Sequence, residues 1–283
     1  MARKPTQQQP EQQQQQLKQQ QPDASKEPDP QQPLVLAVGH MGERYWSWVH
    51  KPLPGKPRFF KSTLLENITR CPWWAVPLVW LPIYAAISSV AVRLHGVGAP
   101  QLLGLQLQGI VLWQAIEYAI HRFLFHANVS SYWGITIHFL FHGNHHKFPK
   151  DADRLVFPPL PAAAIASCIY GLLLLAFPAA TATALMSGVI LGYIANDCLH
   201  YGMHHAAHLP GGLLQELRAR HAHHHYCDAE HGYGISSVLY DVLLGTRAAL
   251  HCIAKAAASL PFDASVEAAA ECLVAPYQFQ VSC

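Results

Sequence analysis

Charge is scarce in this chain: only 13% of its 283 residues are Asp, Glu, Lys or Arg, against 51% that are hydrophobic. That composition is too apolar for an ordinary soluble protein of this length and points to membrane spans. Net charge is nearly absent too, at +2 with histidine neutral, so no strongly basic surface suggests a nucleic-acid partner. The seven cysteines lie at 71, 168, 198, 227, 252, 272 and 283 without a CxxC pair, which argues against a disulfide framework and a thiolate zinc site. No haem, flavin or nicotinamide motif is present. No apolar run follows the opening MARK, so a signal peptide is not expected, and the final residues form neither a KDEL-type ending nor a CaaX box.

What the chain does have is histidine. Of its nineteen, fifteen fall between His121 and His231, thirteen of them in the clusters HRFLFH, HFLFHGNHH, DCLHYGMHH and RARHAHHHY. Neutral imidazole is a good ligand for first-row metals, and this density exceeds what hydrogen-bonded structural histidines need. On a helix, His142, His145 and His146 stand at i, i+3 and i+4, as do His221, His224 and His225, so each trio can share a face. His200 and His204 repeat the i, i+4 step, whereas His223 lies about 200° round from His221 and should point away. His121 and His126 are about 140° apart on an ideal helix and converge only if that helix distorts or ends between them. Spacing alone also admits His138 and His208; His205 and His231 are simply nearby.

Residues 1–33 are Gln- and Pro-rich and are expected to be disordered. Residues 34–246 form the main domain, opening with an amphipathic, cytosol-facing or interfacial lead-in, and residues 247–283 are an Ala-rich tail with no assignment. Trp73 and Trp74, with Trp46 and Trp48 upstream, suit the headgroup level. Four stretches approach the roughly 20 residues a spanning helix needs: Trp73 to Leu94, Leu102 to Phe125, Pro159 to Phe177 and Ala180 to Tyr201. They pair as two tight hairpins. Of nineteen Lys and Arg residues only Arg93 lies on the hairpin-turn side, so the other side is expected to be cytosolic. All four histidine clusters then emerge at the cytosolic face, with both termini. Lys147, Lys150, Arg154, Arg218 and Arg220 are candidates for docking an acidic partner.

The order HRFLFH, HGNHHKFPKDADRLVFPP, LGYIANDCLHYGMHH, RHAHHHY and HGYGISS…YDVLLGT resembles the fatty acid 2-hydroxylases of the membrane-bound fatty acid hydroxylase superfamily. The upstream VGHMGERYWSWVHKP is similar to plant-type members without a fused cytochrome b5 domain. The resemblance implies metal ligands at His121, His126, His142, His145, His146, His200, His204, His221, His224 and His225. Ten are too many for one ion, and five for each of two is the natural division. Asp197 and His138 are expected around these ligands, with Asp197 able to hydrogen-bond a ligating imidazole; relatives commonly carry Tyr-Asp where this chain has Asn196-Asp197.

The resulting expectation is an all-α integral membrane protein with four transmembrane helices in two hairpins and a cytosolic helical cap holding a histidine-rich di-metal site. The resemblance implies a di-iron monooxygenase of the endoplasmic reticulum membrane. It would insert oxygen from O2 at C2 of a long acyl chain, that of ceramide above all, in sphingolipid and fatty acid metabolism. Zinc could replace iron in purified protein, and electrons would come from cytochrome b5 and its reductase. A sterol oxidase or acyl desaturase is the related alternative. A metal transporter fits less well, because transporters place ligands at the bilayer midplane.

Overall fold

The computed structural model describes residues 27–207 and 209–248. His208, most of the Gln-rich segment and nearly all of the Ala-rich tail lie outside the described residues.

Among the described residues the regular elements are all helical. Three short helices lead in: α1 (Val35–Val38), α2 (Arg44–Val49) and α3 (Thr63–Ile68). A long pair follows, α4 (Ala75–Arg93) and α5 (Ala99–Ala119), then the short α6 (Tyr132–His138) and α7 (Asn144–Lys147). A second long pair is α8 (Pro159–Ala176) and α9 (Ala179–His205), and α10 (Gly212–Tyr226) and α11 (Leu239–Leu243) complete the described chain. Two π-helical stretches, Ile120–Phe125 and Phe139–Gly143, extend α5 and α6.

Among the described residues three helices are long and apolar enough to cross a membrane: α4, α8 and α9. The expected fourth, α5, has the length at 21 residues but carries Gln101, Gln106, Gln108, Gln114 and Glu117. Of these, Gln106 and Glu117 are buried and Gln114 half-buried, while Gln101 and Gln108 are exposed. The Gln106 amide donates to the hydroxyls of Tyr84, Ser88 and Ser187 at 3.2, 3.1 and 3.2 Å, so a buried carboxamide is satisfied by three neighbours. Both hairpins are tight as expected. Gly96, in the first turn, holds φ at +67°, a left-handed conformation open to glycine at little cost. The second turn is Phe177 and Pro178 alone. Pro82 lies inside α4 without ending it, which packing against neighbouring helices permits.

Helix α9 is the spine, buried along most of its length against α4 and α5. Its crossing with α5 is a backbone contact. A Cβ on Gly109 would fall 2.3 Å from the Leu185 carbonyl oxygen, and one on Gly188 would fall 2.2 Å from that of Gln106. Around it Trp80, Trp113, Met186, Val189 and Tyr193 form the main core. The outer faces of α4 and α8 stay apolar and exposed at Leu78, Leu81, Leu172 and Leu175, as a lipid-facing surface would.

The lead-in forms a second core: Leu34, Val35, Val38, Tyr45, Trp48, Val49 and Phe59 close on Ile135, Phe139 and Phe148. Trp48 is 3% exposed, and Trp46 donates its indole N–H to the Val129 carbonyl at 3.0 Å. Both are therefore packing groups, not headgroup anchors; Trp73 and Trp74 remain exposed.

Gly188→Val is expected to lower the thermal unfolding midpoint of the detergent-purified chain, since overpacking typically costs about 1–3 kcal/mol and here the obstacle is backbone. Gly104→Ala, with open space around its Cβ, is the control. Equal midpoints for Gly188→Val and the parent would refute the close crossing.

Candidate metal centre

The first site residues come from a change of helical pitch. Where α5 passes into the π-helical stretch Ile120–Phe125, the His126 N–H donates to the His121 carbonyl at 3.0 Å, five residues back. That wider turn brings residues five apart over one another. The distortion required for His121 and His126 to converge is present, and their rings stand 5.0 Å apart.

Ten histidines gather at this end of the bundle in two sets of five: His121, His126, His142, His146 and His224; and His145, His200, His204, His221 and His225. In each set the five candidate ligand atoms lie within 4.8 Å of one another. The trios do not stay whole. The i, i+4 pairs His142/His146 and His221/His225 each keep to one set, while His145 and His224 cross to the other. Thus α7 and α10 both serve the two sets. His126 is the hub of the first, its Nε2 lying 3.2 Å from those of His142 and His146 and 3.1 Å from that of His224. His221 is the hub of the second, with Nε2 at 2.9, 2.8 and 3.0 Å from those of His200, His204 and His225.

Hydrogen bonding alone does not account for these approaches. His121 Nδ1 donates to the Tyr233 carbonyl at 2.5 Å and His224 Nδ1 to that of His231 at 2.9 Å, so their inward Nε2 atoms carry lone pairs when neutral. One Nε2 facing three others cannot be satisfied by a single proton per ring. Nitrogens about 2.1 Å from a common ion and at right angles stand about 3.0 Å apart, and the observed separations match. The donor set therefore fits a cation in each group. Burial, then the neighbouring imidazoles, holds His142, His145, His146, His221, His224 and His225 well below the ordinary histidine range, which keeps them neutral and ready to ligate.

The remaining expectations divide. His223, His205 and His231 belong to neither set; His205 stacks on Tyr201, and His231 pairs with Asp228 at 2.8 Å. His138 turns toward the lead-in, its Nδ1 2.6 Å from the Tyr45 hydroxyl. Asp197 accepts the Phe157 N–H at 3.1 Å and Tyr193 donates to the Phe157 carbonyl at 3.2 Å, tying α9 to the VFPP loop. The five cations considered for docking are engaged in the fold. Lys147, 1% exposed, donates to the carbonyls of Trp48 and Lys51 at 2.9 and 2.6 Å. Arg154 joins Asp151 and Glu66, Arg220 joins Glu216, Lys150 donates to the His204 carbonyl at 2.8 Å, and Arg218 to that of Met203 at 3.0 Å.

Two features escaped sequence reasoning. His50 lies parallel to His126 at 6.4 Å and edge-on to His146 at 5.3 Å; it stands far upstream of the clusters, and only the tertiary packing of α2 brings it there. The second is a cavity of about 780 Å³ between α4, α5, α8 and α9. Trp80, Trp113, Ile169, Met186 and Val189 line its apolar part, and His121, His142, His145 and His200, two from each set, line its other end.

Residues 106–246 match the family model described as fatty acid hydroxylase. The chain is 40% identical over 229 residues to a dihydroceramide fatty acyl 2-hydroxylase of Arabidopsis thaliana, covering 80% of this chain and 96% of the relative. It is 39% identical over 237 residues to a fatty acid 2-hydroxylase of Macaca fascicularis, covering 77% and 64%. Among solved structures, full-length scs7p, in which only the hydroxylase domain is visible, superposes with a TM-score of 0.66 at 31% identity, over 74% of this chain and 80% of that one.

The buried rings set the pH dependence of the metal-free chain. Unfolded, each takes a proton near about pH 6.5; folded, it resists protonation. Below that value the unfolded state binds more protons, so stability is present above it and is lost as pH falls. The melting temperature of chelator-treated protein is expected to drop steeply between about pH 7 and pH 5. A flat profile there would contradict the burial of neutral imidazoles.

Proposed function

The chain belongs to the fatty acid hydroxylase family, and from that membership and the metal centre we propose that it is a di-iron fatty acid 2-hydroxylase acting on the N-acyl chain of ceramide. The carrying observation is the cavity: a mainly apolar space in the helical bundle with histidines of both sets in its lining. An acyl tail is held there by dispersion and burial alone, while its first carbons reach the metal end. The relatives named as 2-hydroxylases, at about 40% identity across almost the whole of the plant enzyme, support C2 as the position attacked.

The ten histidines of the two sets are the proposed ligands, five to each iron. Bound iron supplies the activation of O2 and the homolytic removal of hydrogen from an unactivated C–H bond, chemistry beyond side-chain acids and bases. The chain supplies the rest. Imidazoles pinned through Nδ1 aim Nε2 inward, and the aromatic and aliphatic walls exclude water from the acyl chain. Asn196, 8% exposed and one turn before His200, lines the cavity with its carboxamide oxygen unpartnered. That oxygen would accept the amide N–H of an N-acyl substrate, which favours ceramide over a free acid.

In this reading α5 crosses the bilayer as the fourth span, with Gln106 and Glu117 buried in the bundle. The metal end and both termini face the cytosol from the endoplasmic reticulum membrane, and cytochrome b5 with its reductase delivers electrons. With the five cations above engaged, exposed Arg44, Lys51 and Lys61 are the better docking charges.

Expressed in membranes lacking 2-hydroxylase but supplied with cytochrome b5, the chain is expected to produce 2-hydroxyacyl sphingolipids, detected by mass spectrometry. His224→Ala and His145→Ala, one in each set, should each reduce the product to background. No product from wild type with iron bound and electrons available would sink the hydroxylase reading; a desaturated product would favour an acyl desaturase.

A further inference from the structure

Two carboxylates outside the metal centre stand behind its first set. Glu117, on α5 one turn before His121, is 5% exposed. Its Oε1 accepts the N–H groups of Ile235 and Ser236 at 2.6 and 2.9 Å, and its Oε2 takes a short bond from the Ser236 hydroxyl. Asp241, on α11 and 2% exposed, accepts the N–H groups of Tyr233 and Gly234 at 3.0 and 2.9 Å and the Thr246 hydroxyl at 2.8 Å. Four consecutive amides of a segment without regular structure are thus held by two buried carboxylates. The turn is tight enough that a Cβ on Gly234 would fall 2.1 Å from the Ser237 carbonyl oxygen.

The Tyr233 carbonyl of this segment receives Nδ1 of His121, and the His231 carbonyl, two residues upstream of Tyr233, receives Nδ1 of His224. Glu117 and His121 leave α5 one turn apart and meet again through the segment: carboxylate to the Ile235 and Ser236 amides, then the Tyr233 carbonyl to the imidazole. In the second set Nδ1 of His221 and His225 has no partner, and in the first the same holds for His146, so the carbonyl hold falls on His121 and His224.

We infer that Glu117 is a positioning residue for the first metal position alone, holding the 233–236 turn so that the Tyr233 carbonyl within it, and the His231 carbonyl just before it, fix the tautomer and aim of His121 and His224. This rests on the reading of the two sets as metal positions. Gln at 117 can still accept the two backbone N–H groups and donate to the serine hydroxyl; Leu fills the space and can do neither.

The test uses the full chain, purified in detergent, stripped with chelator and titrated with cobalt(II), read by visible absorption and by metal content. Wild type and Glu117→Gln are expected to take two ions per chain. Glu117→Leu should take one with unchanged affinity and the other about 10–100-fold more weakly, the usual effect of losing an outer partner of a ligand. Wild-type affinity for both ions in Glu117→Leu overturns the inference, as does equal weakening of both, or intact metal binding with only a raised KM, which would make Glu117 a substrate contact. Should Glu117→Leu not fold, Ser236→Ala decides: selective weakening of one ion supports the inference, and unchanged binding overturns it. A wild-type chain that takes no metal defeats the metal reading itself, a distinguishable result.

Discussion

Ten neutral imidazoles, each turning a ring nitrogen toward its neighbours at about hydrogen-bond distance, make an arrangement that water would never favour. Moving ten polar rings out of solvent costs free energy at every ring, and their inward lone pairs repel one another unless a cation lies between them. Much of the fold answers that constraint. Helix α9 brings His200 and His204 up from the apolar core, α10 is stapled over it through Arg218, and the lead-in is packed on top with Lys147 buried beneath Trp48. Lysine and arginine, elsewhere the groups most eager for water, here bind backbone carbonyls and close the cap.

A membrane enzyme needs its polar chemistry beside its apolar substrate, and this architecture places the two in one line along α9. Below Asn196 the helix is lined by Ala, Leu, Met, Val and Ile facing the cavity and core; above it the same helix carries histidines. The backbone contact at Gly109 and Gly188 draws α5 against α9, and α5 brings His121 and Glu117 to the same end. Helix proximity and ligand proximity are therefore one and the same packing decision.

Much of this was legible in the chain before any coordinates. Helical spacing selected eight of the ten histidines, because i, i+3 and i+4 steps project to one side whatever the tertiary context. Hydropathy located the hairpins for the same local reason. The partition of the trios into two sets was not legible, since it depends on how α7 and α10 face one another across the centre. Nor were His50, Trp46 and Trp48, whose environments are made by distant parts of the chain closing on them. The cationic residues misled because sequence gives charge and not burial: Lys147 and Arg154 look like surface groups until Trp48 and Glu66 are folded over them. Asp197 was expected to hydrogen-bond a ligating imidazole, whereas its carboxylate accepts the Phe157 N–H of the VFPP loop.

A π turn is an α turn that has absorbed one further residue. Seen at the level of the gene, the first histidine pair stands a single codon away from the HxxxH spacing shared by His142 and His146, by His200 and His204, and by His221 and His225. The centre then reads as four variations on one helical unit, one of them lengthened. The added residue swings His126 inward until it reaches helices α7 and α10 at once, so that one insertion converts a repeated motif into the joint where otherwise separate parts of the chain meet.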